Sequence, residues 1–271
     1  MSSPSSPSPL IARVINADVS ATPLSIAIEA ARAAGKLLRD EFGRTLDVHA
    51  FEAHDIKLEL DVRSQNLITE ILLRAFPDHA ILGEEGIAGN PESRFQWIVD
   101  PIDGTVNYFY GLPHFCISIA LREGEEVIAG VVYDPMREEL WEVERGGPAR
   151  LNGEPCAVSR RTKLSEAVLS IGFAKNKSTI TSGLPLFEKM IYRARKCRLM
   201  GSAALDLAYI ASGRLDAYIE SSVSLWDVAA GKLLVEAAGG KVELTPHPDQ
   251  PEKLAIVASS GVMNLNPDQP D

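Results

Sequence analysis

The hydrophobic period changes twice along this 271-residue chain, and that change limits the folds open to it. Between residues 24 and 42, Leu24, Ile28, Ala31, Ala34, Leu38 and Phe42 recur at helical spacing, with Gly43 as a stop. Residues 64–76 repeat the pattern through Leu67, Ile68, Ile71, Leu72 and Ala75, until Pro77-Asp78 ends it. β-branched and aromatic runs then take over, and residues 80–82, 97–99, 115–121 and 127–133 predict strands of a sizeable sheet. After Pro155 the two patterns alternate. Strands are expected at 168–173, 198–200, 217–219, 241–244 and 254–258, and helices at 184–195, 203–211 and 227–238. An α+β half covering residues 23–157 therefore precedes an α/β half covering 158–262. The Ser/Pro-rich residues 1–22 and the polar residues 263–271 are too poor in apolar side chains to offset their ordering entropy, and are expected as flexible tails.

Charge and cysteine usage exclude several functions. A formal net charge of −10 disfavours nucleic acid and anionic membranes, both of which need a basic surface. The short basic clusters Arg160-Arg161 and 193–196 read as solvated surface. Cys116, Cys156 and Cys197 are odd in number and widely separated. That fits a reducing compartment, hence the cytoplasm, and neither a disulfide framework nor a zinc site. The opening residues lack the basic and apolar regions of a secretory signal, and no later run has the length of a membrane span.

Four short acidic stretches remain: 55–61, Gly83-Glu84-Glu85, Asp100-Pro101-Ile102-Asp103-Gly104-Thr105, and Trp226-Asp227. Each has a bland explanation. Asp-Pro-x-Asp-Gly is good turn chemistry, paired glutamates at a strand end are usually solvated, and Asp61 and Asp227 stand where helix caps belong. Yet Asp100 and Asp103 would place two carboxylates at a strand end, beside a Gly104-Thr105 turn whose free N–H groups suit a phosphate. Carboxylates repel a phosphate unless a cation stands between them. Mg²⁺, which prefers oxygen ligands and bridges carboxylate to phosphate, is the natural choice.

With these residues in view, the chain resembles the inositol monophosphatase family of metal-dependent phosphatases over roughly residues 24–260. The resemblance rests on the run from Trp97 to Tyr108, followed by Pro113 and Ile117-Ser118-Ile119-Ala120-Leu121. A second signature runs from Leu225-Trp226-Asp227 through Glu236-Ala237-Ala238-Gly239-Gly240, with Leu151-Asn152-Gly153 and Gly201-Ser202-Ala203-Ala204 between. It implies a layered αβαβα sandwich of the sugar-phosphatase type, a lithium-sensitive Mg²⁺-dependent activity and a homodimer. Glu84, Asp100 and the Ile102 carbonyl would bind one metal, and Asp100, Asp103 and Asp227 a second, with a weaker third ion near Glu84. Glu84 and Thr105 would position and deprotonate the attacking water, with Asp61 bonded to the Thr105 hydroxyl. Gly104 and Thr105 would hold the phosphate, while Gly201, Ser202, Ala203 and Glu220 would face the alcohol.

One stretch departs from the family pattern. Asp55-Ile56-Lys57-Leu58-Glu59-Leu60-Asp61 keeps both end aspartates, but Lys57-Leu58 replaces a Val-Thr pair, and the segment before it lacks a lysine that many members carry. Lys57 either replaces that lysine or points to solvent. The resemblance makes hydrolysis of inositol monophosphate the first expectation, with no nucleic acid or membrane partner. Histidinol phosphate, fructose 1,6-bisphosphate and a 3′-phosphonucleotide are the alternative substrates, and only 175–177 offers cations for a second phosphate. An alternative of another class is a regulatory binding protein on the same fold, acting for instance on the transcription machinery. A purely structural metal protein would leave the Gly104-Thr105 turn without a purpose.

Overall fold

In a computed structural model that describes residues 21–44, 48–52, 55–173, 177–247 and 250–269, the first helix begins where its sequence supplies a cap. Thr22 Oγ1 accepts the Ser25 N–H at 3.1 Å and Pro23 opens α1 (Pro23–Glu41). Its buried face is small-residue rich, with Ala27, Ala30, Ala31, Ala34, Gly35 and Leu38. The second helix, α2 (Glu59–Ala75), starts five residues before the expected Ser64. Asp61 at its third position accepts the Leu58 N–H at 2.8 Å, which lets the first turn close early. A hairpin of β1 (Val48–Glu52) and β2 (Asp55–Leu58) joins the two helices.

The expected large sheet has eight strands, named along the chain β3 (Ala80–Gly83), β4 (Gly86–Gly89), β5 (Phe95–Asp103), β6 (Cys116–Glu123), β7 (Glu126–Asp134), β8 (Glu139–Glu144), β9 (Arg150–Leu151) and β10 (Glu154–Pro155). Their spatial order is β10-β9-β8-β7-β6-β5-β3-β4. Between β5 and β6 lies α3 (Thr105–Phe109). The second half builds β11 (Val168–Ile171), α4 (Lys177–Arg193), β12 (Lys196–Arg198), α5 (Ala203–Ala211), β13 (Ala217–Val223), α6 (Leu225–Ala237), β14 (Lys241–His247) and β15 (Gln250–Ser259). Its five strands run β12-β11-β13-β15-β14.

Strand alternation sets the layers. Trp97 and Val99 of β5 bury against α1 and α2, whereas Ile98 between them joins Trp141, Ala208, Val228 and Leu234 on the opposite face. In the small sheet, Tyr218 and Ile256 enter that same middle core, while Leu169, Ile171 and Ala217 face α4 through Met190. The result is the αβαβα sandwich, with α5 and α6 between the sheets. The first sheet ends at Pro155 and the second begins at Val168, and the core between them draws on both.

Boundaries in the second half also differ from expectation. Helix α4 starts at Lys177 and runs on through Pro185, β12 lies two residues earlier than 198–200, and α6 begins at Leu225, so Asp227 is its third residue. The C-terminal residues expected as a free tail are docked as far as Gln269. Leu265 packs on the α4 core, Arg193 donates to the carbonyls of Pro267 and Gln269 at 2.6 and 2.7 Å, and Lys189 pairs with Asp268. Of the other expected tail, residues 1–20 lie outside the described residues. No helix among the described residues is long and apolar enough to cross a membrane.

Candidate active site

Strand β5 carries the centre of the site. It pairs with β3 in parallel and β6 antiparallel, and its ladder to β6 is irregular between Asp100 and Asp103, at the end of the strand. Asp100 Oδ1 accepts the Ile102 N–H at 3.0 Å, which tightens the loop. Gly104 follows with φ of 98°, a left-handed conformation, and a Cβ there would stand 3.0 Å from the His114 carbonyl oxygen and 3.2 Å from that of Gly201. Only glycine fits. Thr105 then opens α3, its hydroxyl 2.9 Å from the Ile102 carbonyl and 3.3 Å from Asp61 Oδ1.

Helix N-termini deliver the other acids. Asp61 and Asp227 occupy the same position on α2 and α6, each accepting a capping N–H, from Leu58 at 2.8 Å and from Ser224 at 2.7 Å. Asp103 Oδ2 faces the start of α5 and accepts the Ser202 hydroxyl at 2.6 Å and the Ala204 N–H at 2.7 Å, with the Ala203 N–H adding to the set. Ser202 and Ala203, expected to face the alcohol, therefore orient a carboxylate in this structure. Glu84 sits just after β3, its N–H bonded to the Val99 carbonyl at 3.1 Å, beside the Asp100 strand.

Several positioning groups were not visible in the sequence. Ser64 of α2 donates to the Pro101 carbonyl at 3.2 Å, and Gln65 both accepts the Glu85 N–H at 2.8 Å and donates to the Gly86 carbonyl at 3.1 Å. The α2 face that holds Asp61 thus also fixes the β5 loop and the turn bearing Glu84. Asn107 Nδ2 donates to the carbonyls of His114 and Met200 at 2.8 and 2.9 Å, tying α3 to the loop before α5. Lys253 Nζ reaches Ser224 Oγ at 2.5 Å and lies 6.0 Å from the Trp226 ring centroid. The only available signal was polar residues interrupting apolar faces, as Ser64 and Gln65 do on α2.

These acids lie close enough for their charges to act on one another. Asp100 is buried, and desolvation followed by the charges of Glu84, Asp103, Asp227 and Asp61 pushes its carboxyl well above the usual range. Burial likewise raises Asp103 against the pull of its hydrogen bonds. Asp227 is raised to about 7 by burial and then by the Asp103 charge, with Lys253 opposing. Carboxylates held together at such cost are stabilised by a cation among them. The donors are all oxygen, which fits a hard divalent ion. Among the described residues no three acidic, histidine or cysteine side chains are already gathered as a metal-holding group. Asp100, Asp103 and Asp227 each turn one oxygen to a backbone N–H donor.

The Gly201 carbonyl faces Gly104 and the Asn107 amide. Glu220 of β13 accepts the Tyr218 hydroxyl at 2.5 Å, and its charge reaches Asp227. The side chain of Lys57, and all of Lys175, lie outside the described residues.

Comparison with known proteins places the chain in context. The model of the inositol monophosphatase family matches residues 21–266. A protein named Nus factor SuhB from Xylella fastidiosa is 42% identical over 223 residues, 81% of this chain and 80% of that protein. An inositol-1-monophosphatase from Rhizobium meliloti is 39% identical over 222 residues, 80% of this chain and 83% of that protein. The crystal structure of extragenic suppressor protein suhB from Bartonella henselae superposes with a TM-score of 0.81 at 33% identity, covering 88% of this chain and 93% of that one.

Proposed function

Because the chain belongs to the inositol monophosphatase family, we propose that it hydrolyses a small phosphomonoester, inositol monophosphate first, at the Asp100–Asp103 loop with Mg²⁺. The observation that carries this reading is the convergence of Glu84, Asp103, Asp227 and Asp61 on the buried Asp100 beside the Gly104-Thr105 turn. Glu84, Asp100, the Ile102 carbonyl, Asp103 and Asp227 would hold two ions, with a third near Glu84. When bound, Mg²⁺ supplies Lewis-acid stabilisation of phosphoryl charge and lowers the pKa of water.

The chain's own residues do the rest. Asp61 and the Ile102 carbonyl fix the Thr105 hydroxyl, which with Glu84 orients the attacking water; the water's proton passes to the Glu84 carboxylate, or to Thr105 as the threonine's own proton moves to Asp61. The N–H groups of Gly104 and Thr105 hold the phosphate, and Glu220 accepts hydrogen bonds from the hydroxyls of the leaving alcohol. Gly201 lines the same side. Three free cysteines suit a cytoplasmic setting. We expect a homodimer, to be checked by light scattering.

Phosphate release with Mg²⁺ from inositol 1-phosphate, histidinol phosphate, fructose 1,6-bisphosphate and a 3′-phosphonucleotide tests the substrate. Inositol 1-phosphate is expected to be turned over fastest. No turnover of it alongside rapid release from another ester overturns the preferred substrate.

A second reading, regulation by binding, is favoured by the name of the 42%-identical Nus factor SuhB. An Asp103→Asn chain that has lost hydrolysis by orders of magnitude yet fully replaces the wild type in its host would support it.

A further inference from the structure

The Glu220 carboxylate rests against a backbone position that has no room for a side chain. Strand β11 ends at Ile171, and the next residue, Gly172, donates its N–H to the Ile219 carbonyl at 2.9 Å, keeping it level with β13. A Cβ built on Gly172 would overlap the Glu220 carboxylate. The φ of Gly172 lies outside the left-handed region, so an alanine backbone is tolerated there, and the three atoms nearest the added Cβ all belong to Glu220. On the other side, Tyr218 is buried in the middle core and donates its hydroxyl to Glu220 Oε2 at 2.5 Å. Tyr218 and Glu220 are two apart on one strand and so share a face, the face toward α5 and α6.

We infer that Gly172 and Tyr218 are specificity-determining positioning residues. Together they seat the Glu220 carboxylate where it accepts hydrogen bonds from hydroxyls of a polyol phosphate. This rests on the assignment of Glu220 to the substrate alcohol made above. The absent Cβ leaves the carboxylate its seat, and the buried tyrosine hydroxyl holds it there. The charge on Glu220 is thereby spent on recognising neighbouring hydroxyls and not on the phosphate, which the β5 loop holds.

The test compares inositol 1-phosphate with cyclohexyl phosphate, a ring of similar shape without the free hydroxyls, for wild type, Gly172→Ala, Tyr218→Phe and Glu220→Ala. Glu220→Ala and Gly172→Ala are expected to cut the preference for inositol 1-phosphate at least about tenfold, as loss of one charge-assisted hydrogen bond would. The loss should lie in KM for inositol 1-phosphate. For Gly172→Ala and Tyr218→Phe, kcat, the half-saturating Mg²⁺ concentration and turnover of cyclohexyl phosphate should stay near wild type. Tyr218→Phe should move selectivity the same way by a smaller factor, and it decides the matter where Gly172→Ala does not fold. If Glu220→Ala loses the preference but Gly172→Ala and Tyr218→Phe keep it, or lower both substrates equally, the inference is wrong while Glu220 keeps its role. If Glu220→Ala itself keeps the preference, the assignment of Glu220 fails and the inference with it.

Discussion

Gln65 Oε1 accepts the Glu85 N–H at 2.8 Å, joining the buried face of α2 to the turn that carries Glu84. The same amide donates to the Gly86 carbonyl, so one side chain clamps both ends of that turn. Gln65→Leu keeps the volume and removes both bonds. Leaving the two backbone groups unpaired should cost about 1–3 kcal/mol of stability. The half-saturating Mg²⁺ concentration should rise several-fold, because Glu84 is no longer held. Thermal melting and Mg²⁺ titration of activity check the two effects separately.

Removal of the metal should expose the repulsion among the acids. Asp100 is buried beside four other carboxylates, so Asp100→Asn is expected to melt higher than wild type when both are stripped with EDTA. Mg²⁺ should stabilise the wild type and not the variant. Hydrolysis should fall by orders of magnitude. Calorimetry with and without Mg²⁺ reads all but the last, and a less stable metal-free variant contradicts the electrostatic account.

The pH dependence has a definite sign. Asp227 is held at about 7 in the folded, metal-free protein against an ordinary value of 3.8. Between those values the folded chain binds a proton that the unfolded chain does not, so stability falls as pH rises through this window and is regained on acidification. The melting temperature of EDTA-treated protein should therefore gain from this group between about pH 8 and about pH 5, and the gain should vanish in Asp227→Asn. With Mg²⁺ present the trend should oppose this, since protons compete with the ion for the carboxylate.

Thr105 should matter to chemistry more than to binding. Its hydroxyl lies 2.9 Å from the Ile102 carbonyl and 3.3 Å from Asp61 Oδ1, a position suited to orienting water. Thr105→Ala is expected to lower kcat by about 10²–10⁴, the range of a lost acid–base group, with a small change in KM. Steady-state kinetics on inositol 1-phosphate decide it, and an unchanged kcat removes Thr105 from the mechanism.

Away from the site, Asp216 anchors the second sheet. Fully buried, it accepts the Val168 N–H at 2.7 Å and Arg161 Nη1 at 2.8 Å, and the Ser159 hydroxyl also reaches it. Asp216→Ala leaves those donors without an acceptor and should destabilise by about 3–5 kcal/mol, measured by urea unfolding. Little loss of stability would mean that water or neighbouring groups replace it.

The parts legible in the sequence were those fixed by local chemistry. Asp100, Asp103, Gly104 and Thr105 lie within six residues, and a strand, a turn and a helix start suffice to bring them together. The run 97–99 was legible as a strand, within which Trp97 and Val99 bury on the face opposite Ile98. Strand β4 was missed because its residues, Gly86 to Gly89, are all exposed and carry no alternation. The starts of α2 and α6 were misplaced because Asp61 and Asp227 cap from the third helical position and not the first. Gly172 had no local signal, and Ser64 and Gln65 only that of polar residues on an apolar helix face, since their partners are tens of residues away and meet them only after the layers pack.

The central claim is that the acidic stretches form one site for divalent metal and phosphate. A crystal soaked in Mn²⁺ and inorganic phosphate, with anomalous data collected for the metal, tests it most directly. The account predicts two strong peaks coordinated by Glu84, Asp100, the Ile102 carbonyl, Asp103 and Asp227, with phosphate on the Gly104 and Thr105 N–H groups. Metal bound elsewhere, or no peak beside Asp100 at saturating Mn²⁺, would contradict it.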